Sequence, residues 1–468
     1  MRLNDNIILL TDSYKLSHYK QYPEGTEKVY SYFESRSGSE YPETVFFGLQ
    51  YFIRRYLTGR VVTQDKINQA ENFARMHMGV DGTFNREGWQ YILDKYNGRL
   101  PVRIKAVREG TLVPESNVMV TIENLDPKCY WLPNYLETLL VQLWYPSTVA
   151  TVSHHVKQAI RKGLEQTGDV AGLPFKLHDF GFRGVSSVES AAIGGLAHLV
   201  NFQGTDTIAA IGCGMDFYDS GMCGLSIPAS EHSTMTSWGQ QHEVDAFRNM
   251  LEKYPTGLVG VVSDSFDIKA ACSELWGKQL KDEVLARDGV LVVRPDSGEI
   301  VSTVLDVLVR LGKAFGTYEN DKGYTVLNDK VRVIQGDGCE PKTIQAVIDA
   351  MIAAGWSIDN IAFGMGGGLL QKVNRDTQRF AFKCSSVVVN GETRDVFKDP
   401  KSDPTKASKR GRLKLIVDPD NGSLTTVPES NLSHDELMTV FESGELKNID
   451  TFDDIRKRSE GKLRPASV

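Results

Sequence analysis

From about residue 175 one rhythm recurs along the chain: a short apolar run, a polar or glycine-rich turn, then a stretch of helical period. The runs with their turns are FKLHDFG (175–181), LVNFQGTD (199–206), LSIPASEH (225–232), GLVGVVSDS (257–265), VLVVRPDSG (290–298), VRVIQGDG (331–338) and NIAFGMGGG (360–368). Amphipathic helix candidates lie between most of them, such as EIVSTVLDVLVRLGKAFG (299–316) and PKTIQAVIDAMIAAGW (341–356). Strands that alternate with helices run parallel. Seven such units suit an irregular α/β barrel, with an open doubly wound sheet as the alternative.

The flanking segments read differently. Residues 1–147 form a smaller mixed α+β domain on this reading: KVYSYFESR (28–36) has the look of a strand and ETVFFGLQYFIRRYL (43–57) that of an amphipathic helix. The barrel then takes residues 148–384. Residues 385–468 are β-rich, with turn signals VNGE and DPDNG, and either pack with the N-terminal domain or stand apart. No apolar run approaches the roughly 20 residues of a membrane span, and NIILL (6–10) is too short for a signal-peptide core. The six cysteines form no C-x-x-C pair, so reduced thiols and a cytoplasmic location are expected. A net charge of −7 argues against nucleic-acid binding. The charge is uneven, because KDPKSDPTKASKRGRLK (398–414) holds seven Lys or Arg against two Asp. That segment is either a solvated loop or a cluster that meets a multiply charged small anion.

The chemistry-bearing residues concentrate at the strand tips. His178, Asp179, Asp206, Glu231, His232, Asp264, Asp267, Arg294, Asp296, Asp337 and the glycines at 366–368 all follow a strand candidate, and in an α/β barrel that face carries the active site. Exposed loops are polar anyway, which explains one or two such residues but poorly explains acids, an arginine and glycine turns at seven successive tips. The glycine loop in FGMGGGLLQK (363–372) is a tight turn or a phosphate cradle at a helix start, with Lys372, Arg375 and Lys383 nearby. In HDFGFRGVSSVES (178–190), Ser186 and Glu189 read as a capping box, and Arg183 stands where an anion would be welcome. Phe180 either packs or stacks on a flat ligand. Asp296 and Asp337 beside tight turns hold sugar hydroxyls or cap helices. His232, in PASEHSTM (228–235), has no metal-ligand spacing and no G-x-S-x-G elbow around it. It is a polar helix start, or a phosphoryl acceptor or proton carrier.

Taken in order, LLTDSYKLSHYKQYP, YSYFESR, FFGLQY, LHDFGFRGVSS, NFQGTD, PASEHST, VVSDSFDI, RPDSG, IQGDG, AFGMGGGLLQK, FKCS and VFKDP closely resemble the nicotinamide phosphoribosyltransferase family, from about residue 7 to about residue 457. The resemblance implies an irregular, type II phosphoribosyltransferase-like barrel beside a smaller mixed domain, and a homodimer with shared sites. The implied reaction joins nicotinamide to phosphoribosyl pyrophosphate, giving nicotinamide mononucleotide and pyrophosphate, with Mg²⁺ on the pyrophosphate.

By the same resemblance, Phe180 stacks one face of the nicotinamide and Tyr14 of the partner subunit covers the other. Asp206 accepts a hydrogen bond from the carboxamide, and Arg183 and Arg294 line the ring and pyrophosphate region. Asp296 and Gly336 meet the ribose hydroxyls. Gly366 and Gly367 hold the 5′-phosphate, with Arg375 and Lys383 of the partner subunit helping. Arg36, Lys398, Lys406 and Arg412 serve pyrophosphate or a nucleoside triphosphate, and Asp12 and Asp337 join the substrate-binding set. His232 becomes phosphorylated by ATP, supported by Glu231 and Asp267. One position departs from the family pattern: Ala381 stands where a serine is frequent at the phosphate site. Three rivals are a nicotinate-using relative, which Asp206 speaks against; a binding protein without turnover, which would have lost the constellation; and a Schiff-base aldolase, for which no strand tip supplies a lysine.

Overall fold

In the computed structural model, which describes residues 3–399 and 407–463, the alternating pattern becomes a parallel sheet. Its strands are β1 (Leu177–Asp179), β2 (Gly204–Thr205), β3 (Thr256–Val262), β4 (Asp288–Arg294), β5 (Val331–Gln335) and β6 (Ile361–Met365). They lie in the order β2-β1-β6-β5-β4-β3. Val259, Val261, Leu291, Val293, Val331, Val333, Ile361 and Phe363 are buried, as strands covered on both faces require. Two expected runs differ: LVNFQGTD (199–206) begins at the end of a helix and is strand only at Gly204–Thr205, and LSIPASEH (225–232) is not a regular strand. Residues 225–229 instead bridge the two edges, Leu225 to Gly204 on β2 and Ala229 to Gly260 on β3, both in parallel sense. Six strands and this bridge close the ring that seven repeats predict.

Helices return the chain between strands. Those used below are α1 (Val188–Leu199), α2 (Glu243–Lys253), α3 (Ile300–Phe315) and α4 (Pro341–Ala353), the last two matching the expected segments. The expected cap of α1 shifts by one residue, because Ser187 rather than Ser186 accepts from the Ser190 N–H. Asp296 does not cap α3, since Glu299 takes the N–H groups of Val301 and Ser302.

The barrel belongs to a unit of residues 152–213 and 221–373. A second unit comprises 1–151, 214–220 and 374–468. Its antiparallel sheet runs Glu392–Asp395, Ala381–Val389, Thr26–Glu34, Val118–Asn124, Val102–Ala106, Met438–Glu442, Glu445–Leu446. The C-terminal strands flank the N-terminal ones within this one sheet, and the expected boundary at 384 falls inside the strand Ala381–Val389. The 43–57 segment is also not one helix. Glu43–Val45 pairs with Leu112–Pro114, Gly48 turns the chain at φ 109°, and helix begins only at Leu49.

Candidate active site

The tips of the parallel strands open into one cleft of about 1130 Å³. Phe180, Arg183, Asp206, Glu231, His232, Arg294, Asp296, Gly336, Asp337, Gly366 and Gly367 all line it, as does His178. All but Arg183 and Gly336 are residues that the sequence places after strand candidates; His178 and Arg294 lie within β1 and β4 themselves.

Phe180 follows β1. Its N–H donates to Met365 O at 3.0 Å, which ties it to β6. The phenyl ring lies directly against the backbone of β6: a Cβ built on Gly364 would come within 1.9 Å of the ring. Beneath it, the buried Asp179 accepts from the Gly181 N–H at 2.7 Å, and its carbonyl accepts from the Asp206 N–H at 3.0 Å. Asp206 is thereby placed on the neighbouring tip, with its carboxylate in the cleft and its Oδ1 accepting from Ser226 Oγ at 2.5 Å.

Burial pushes the Asp179 carboxyl up to about 6, with the nearby Asp206 charge adding to it. The folded protein then holds a proton that the unfolded chain releases near pH 4. Between these values the folded state binds more protons, so stability falls as pH rises from about 4 to 6. The contribution reaches about 3 kcal/mol at low pH. Denaturant melts at pH 4 to 7 are expected to show this slope in the wild type and to lack it in Asp179→Asn.

His232 begins a short helix, His232–Thr236. Its Nε2 lies 3.0 Å from Asp264 Oδ1, and its Nδ1 lies 3.8 Å from Asp296 Oδ2. A carboxylate only accepts, and only Asp264 is within hydrogen-bonding distance, so it draws the proton to Nε2 and leaves the Nδ1 lone pair on the Asp296 side of the cleft. Asp264 is itself fixed, because its Oδ2 accepts from the Asp296 N–H at 3.0 Å and from Ser297 Oγ at 2.5 Å. The expected supports of His232 sit elsewhere. Glu231 closes a capping box with Thr234 and accepts from Ser233. Asp267 caps the next helix through the N–H groups of Lys269 and Ala270. The carboxylate at hydrogen-bonding distance from His232 is Asp264, three residues before Asp267 in SDSFD. Behind it, burial and the charges of Asp264 and Asp267 push Glu243, at the start of α2, up to about 7. Asp296 lies 3.7 Å from Arg294. Burial raises its carboxyl, and the Asp264 and Asp337 charges reinforce this against Arg294 and His232.

The glycine loop after β6 is open. Gly366 adopts φ −95°, ψ −109°, and starts the turn Gly367–Leu370. Nothing comes within 4 Å of a Cβ built on Gly367, so its backbone faces free space. Lys372 is paired with Glu340 instead.

Other expected site residues lie in the second unit. Tyr14 is 56% exposed, its ring edge-on to His18 at 4.5 Å between centroids. Asp12 accepts from Thr138 Oγ1 at 2.7 Å. Burial pulls the Lys383 ammonium below its usual range; Glu137 opposes this, and the like charges of Arg36, Lys398 and Arg375 add to it. All three cations thus lie within electrostatic range of Lys383. Arg412 is committed differently, to Glu123 at 2.8 Å and Glu429 at 2.5 Å, with its guanidinium over Tyr30. Ala381 is buried within its strand. Lys406 lies outside the described residues. Sequence reasoning gave no role to Ser226 or to Asp264 as the histidine's partner. Their signal was proximity: each stands on a loop already flagged.

The site is thus a parallel barrel whose strand tips bring together an open glycine loop, acids, arginines and an aromatic ring, and similarity to known proteins gives its class as phosphoribosyltransferase. The nicotinate-nucleotide pyrophosphorylase of Pyrococcus furiosus superposes with a TM-score of 0.60 at 16% identity, covering 99% of this chain and 97% of that one. Human nicotinic acid phosphoribosyltransferase gives 0.58 at 14% identity over 98% and 94%. The model of the nicotinate phosphoribosyltransferase (NAPRTase) family matches residues 175–445, and that of the nicotinamide phosphoribosyltransferase N-terminal domain matches 6–104. Nicotinamide phosphoribosyltransferase of Xanthomonas campestris pv. campestris is 50% identical, over 98% of this chain and 99% of its own. Its namesake in Acinetobacter baylyi is 34% identical over 98% of each. The chain belongs to the nicotinate phosphoribosyltransferase family and is an enzyme of phosphoribosyl transfer.

Proposed function

We propose that the enzyme transfers phosphoribose from phosphoribosyl pyrophosphate to nicotinamide, for NAD salvage. The pyridine nitrogen donates its lone pair to ribose C1 as the C1–O bond breaks, and the bonding pair leaves on pyrophosphate. No proton has to move, so no general base is needed. What the site must supply is alignment of the two reactants and positive charge for the leaving group. Phe180 gives the ring its shelf, and cation–π attraction favours the pyridinium product by roughly 0.5–2 kcal/mol. Asp296 and Gly336 face the ribose, Gly366 and Gly367 the 5′-phosphate, and Arg183 and Arg294 the diphosphate.

The observation that carries this reading is a carboxylate, Asp206, in the same cleft as the Phe180 ring. An acceptor there suits an amide and disfavours an acid. Mg²⁺ enters this scheme on the pyrophosphate of the substrate. In this scheme the Nδ1 lone pair of His232 takes the γ-phosphoryl group of ATP as the bond to the β-phosphate breaks and ADP leaves, since Asp264 occupies the Nε2 side. The working form is a homodimer in which Tyr14 of the partner subunit closes the ring site and the partner's Arg36, Arg375, Lys383 and Lys398 add cations. Among the described residues no helix is long and apolar enough to cross a membrane, and the cytoplasm is the proposed location.

Incubation with phosphoribosyl pyrophosphate, Mg²⁺ and either nicotinamide or nicotinate tests the function. Nicotinamide mononucleotide is the expected product; turnover of nicotinate alone would overturn the reading. Gly364→Ala should displace Phe180, costing about 1–3 kcal/mol of stability and raising KM for nicotinamide roughly tenfold. Steady-state kinetics with thermal melts check both, and the double variant with Phe180→Ala should melt no lower than Phe180→Ala alone.

A further inference from the structure

Ser226 has no role in the scheme above, yet it makes the side-chain hydrogen bond that the structure gives Asp206. It sits on the 225–229 segment, which is held to the barrel through the Leu225 N–H to Gln203 O at 2.7 Å and the Thr205 N–H to Leu225 O at 3.0 Å. Asp206 is anchored on the adjoining tip by its own N–H. Two fixed backbones therefore bring Ser226 Oγ to 2.5 Å from Asp206 Oδ1, and both residues line the cleft.

The hydroxyl has one proton, and an ionised carboxylate takes it. Once that proton is engaged, Ser226 offers an incoming ligand only lone pairs. Asp206, held by one oxygen, offers the lone pairs of the other. The pair thus presents acceptors and no donor. A carboxamide brings two N–H donors and matches; a carboxylate brings none. Without the hydroxyl bond, the Asp206 side chain can turn about its own axis, and its free oxygen is no longer aimed.

We propose that Ser226 is a positioning residue that sets the preference for the amide over the acid, acting through Asp206. The proposal rests on the function proposed above. Its test is kcat/KM for nicotinamide and nicotinate, with KM for phosphoribosyl pyrophosphate, in the wild type, Ser226→Ala and Ser226→Thr. The alanine variant is expected to lose about tenfold on nicotinamide and less than twofold on nicotinate, so the ratio falls about tenfold while KM for phosphoribosyl pyrophosphate holds. The threonine variant, which keeps the hydroxyl, should stay within about twofold of the wild-type ratio. An unchanged ratio in Ser226→Ala, an equal loss on both substrates, or a threonine variant as impaired as the alanine one overturns the Ser226 inference alone. A wild type that makes no nicotinamide mononucleotide overturns the function and the inference together.

Discussion

Asp206→Ser is expected to bring the two pyridine substrates close to parity. An ionised carboxylate about 4 Å from a second one, at an effective dielectric of about 20, repels it by on the order of 4 kcal/mol, roughly a thousandfold in kcat/KM. Serine removes that charge but keeps an oxygen that can meet either an amide or an acid. Nicotinamide should lose the charge-assisted hydrogen bond, worth about 1.5–3 kcal/mol, while nicotinate gains by relief of repulsion. Competition assays with both vitamins in one tube give the ratio without depending on absolute rates. If the ratio in Asp206→Ser stays within a few-fold of the wild type, selection lies elsewhere in the cleft.

The second large effect concerns His232. Asp264→Asn leaves an oxygen to accept from the Asp296 N–H and Ser297, but it turns an amide N–H₂ toward Nε2. The imidazole must then carry its proton on Nδ1, so the nitrogen facing the cleft loses its lone pair. In a serine protease the analogous acid-to-amide change costs about 10⁴ in kcat through the wrong tautomer. A loss of about 10³ in the rate of phosphohistidine formation is expected here. Labelled ATP and acid-labile phosphate, resolved to the peptide by mass spectrometry, measure it. His232→Ala should take up no label. Asp264→Asn labelled at the wild-type rate would show that Asp264 does not set the tautomer.

The barrel was legible because its signal is local. Each βα unit announces itself by a valine-rich run and a polar tip, as in VLVVRPDSG, and α3 and α4 fall where the apolar period puts them. The bridge at 225–229 was readable as a tip but not as an irregular strand, because Pro228 and the flanking polar residues leave too little apolar sequence to distinguish them. Roles within a tip were harder. Asp264 and Asp267 stand three residues apart in SDSFD, and either could cap a helix. Asp267 does so with φ −150° and ψ 103°, while Asp264 points at a histidine thirty-two positions earlier in the chain. Arg412 shows the opposite failure. Its place in a basic run suggested an anion, but Glu123, from a strand far earlier in sequence, neutralises it. Pairings between distant segments, like the C-terminal strands beside Thr26–Glu34, leave no local trace.

The central claim is that the strand tips hold a flat pyridine amide between Phe180 and Asp206. A crystal structure with nicotinamide mononucleotide bound measures it directly. The account predicts the pyridinium stacked on the Phe180 ring, with its carboxamide nitrogen within hydrogen-bonding distance of Asp206 and its phosphate at Gly366 and Gly367. A ring bound away from Phe180, with the Asp206 carboxylate turned out of the pocket, would contradict it.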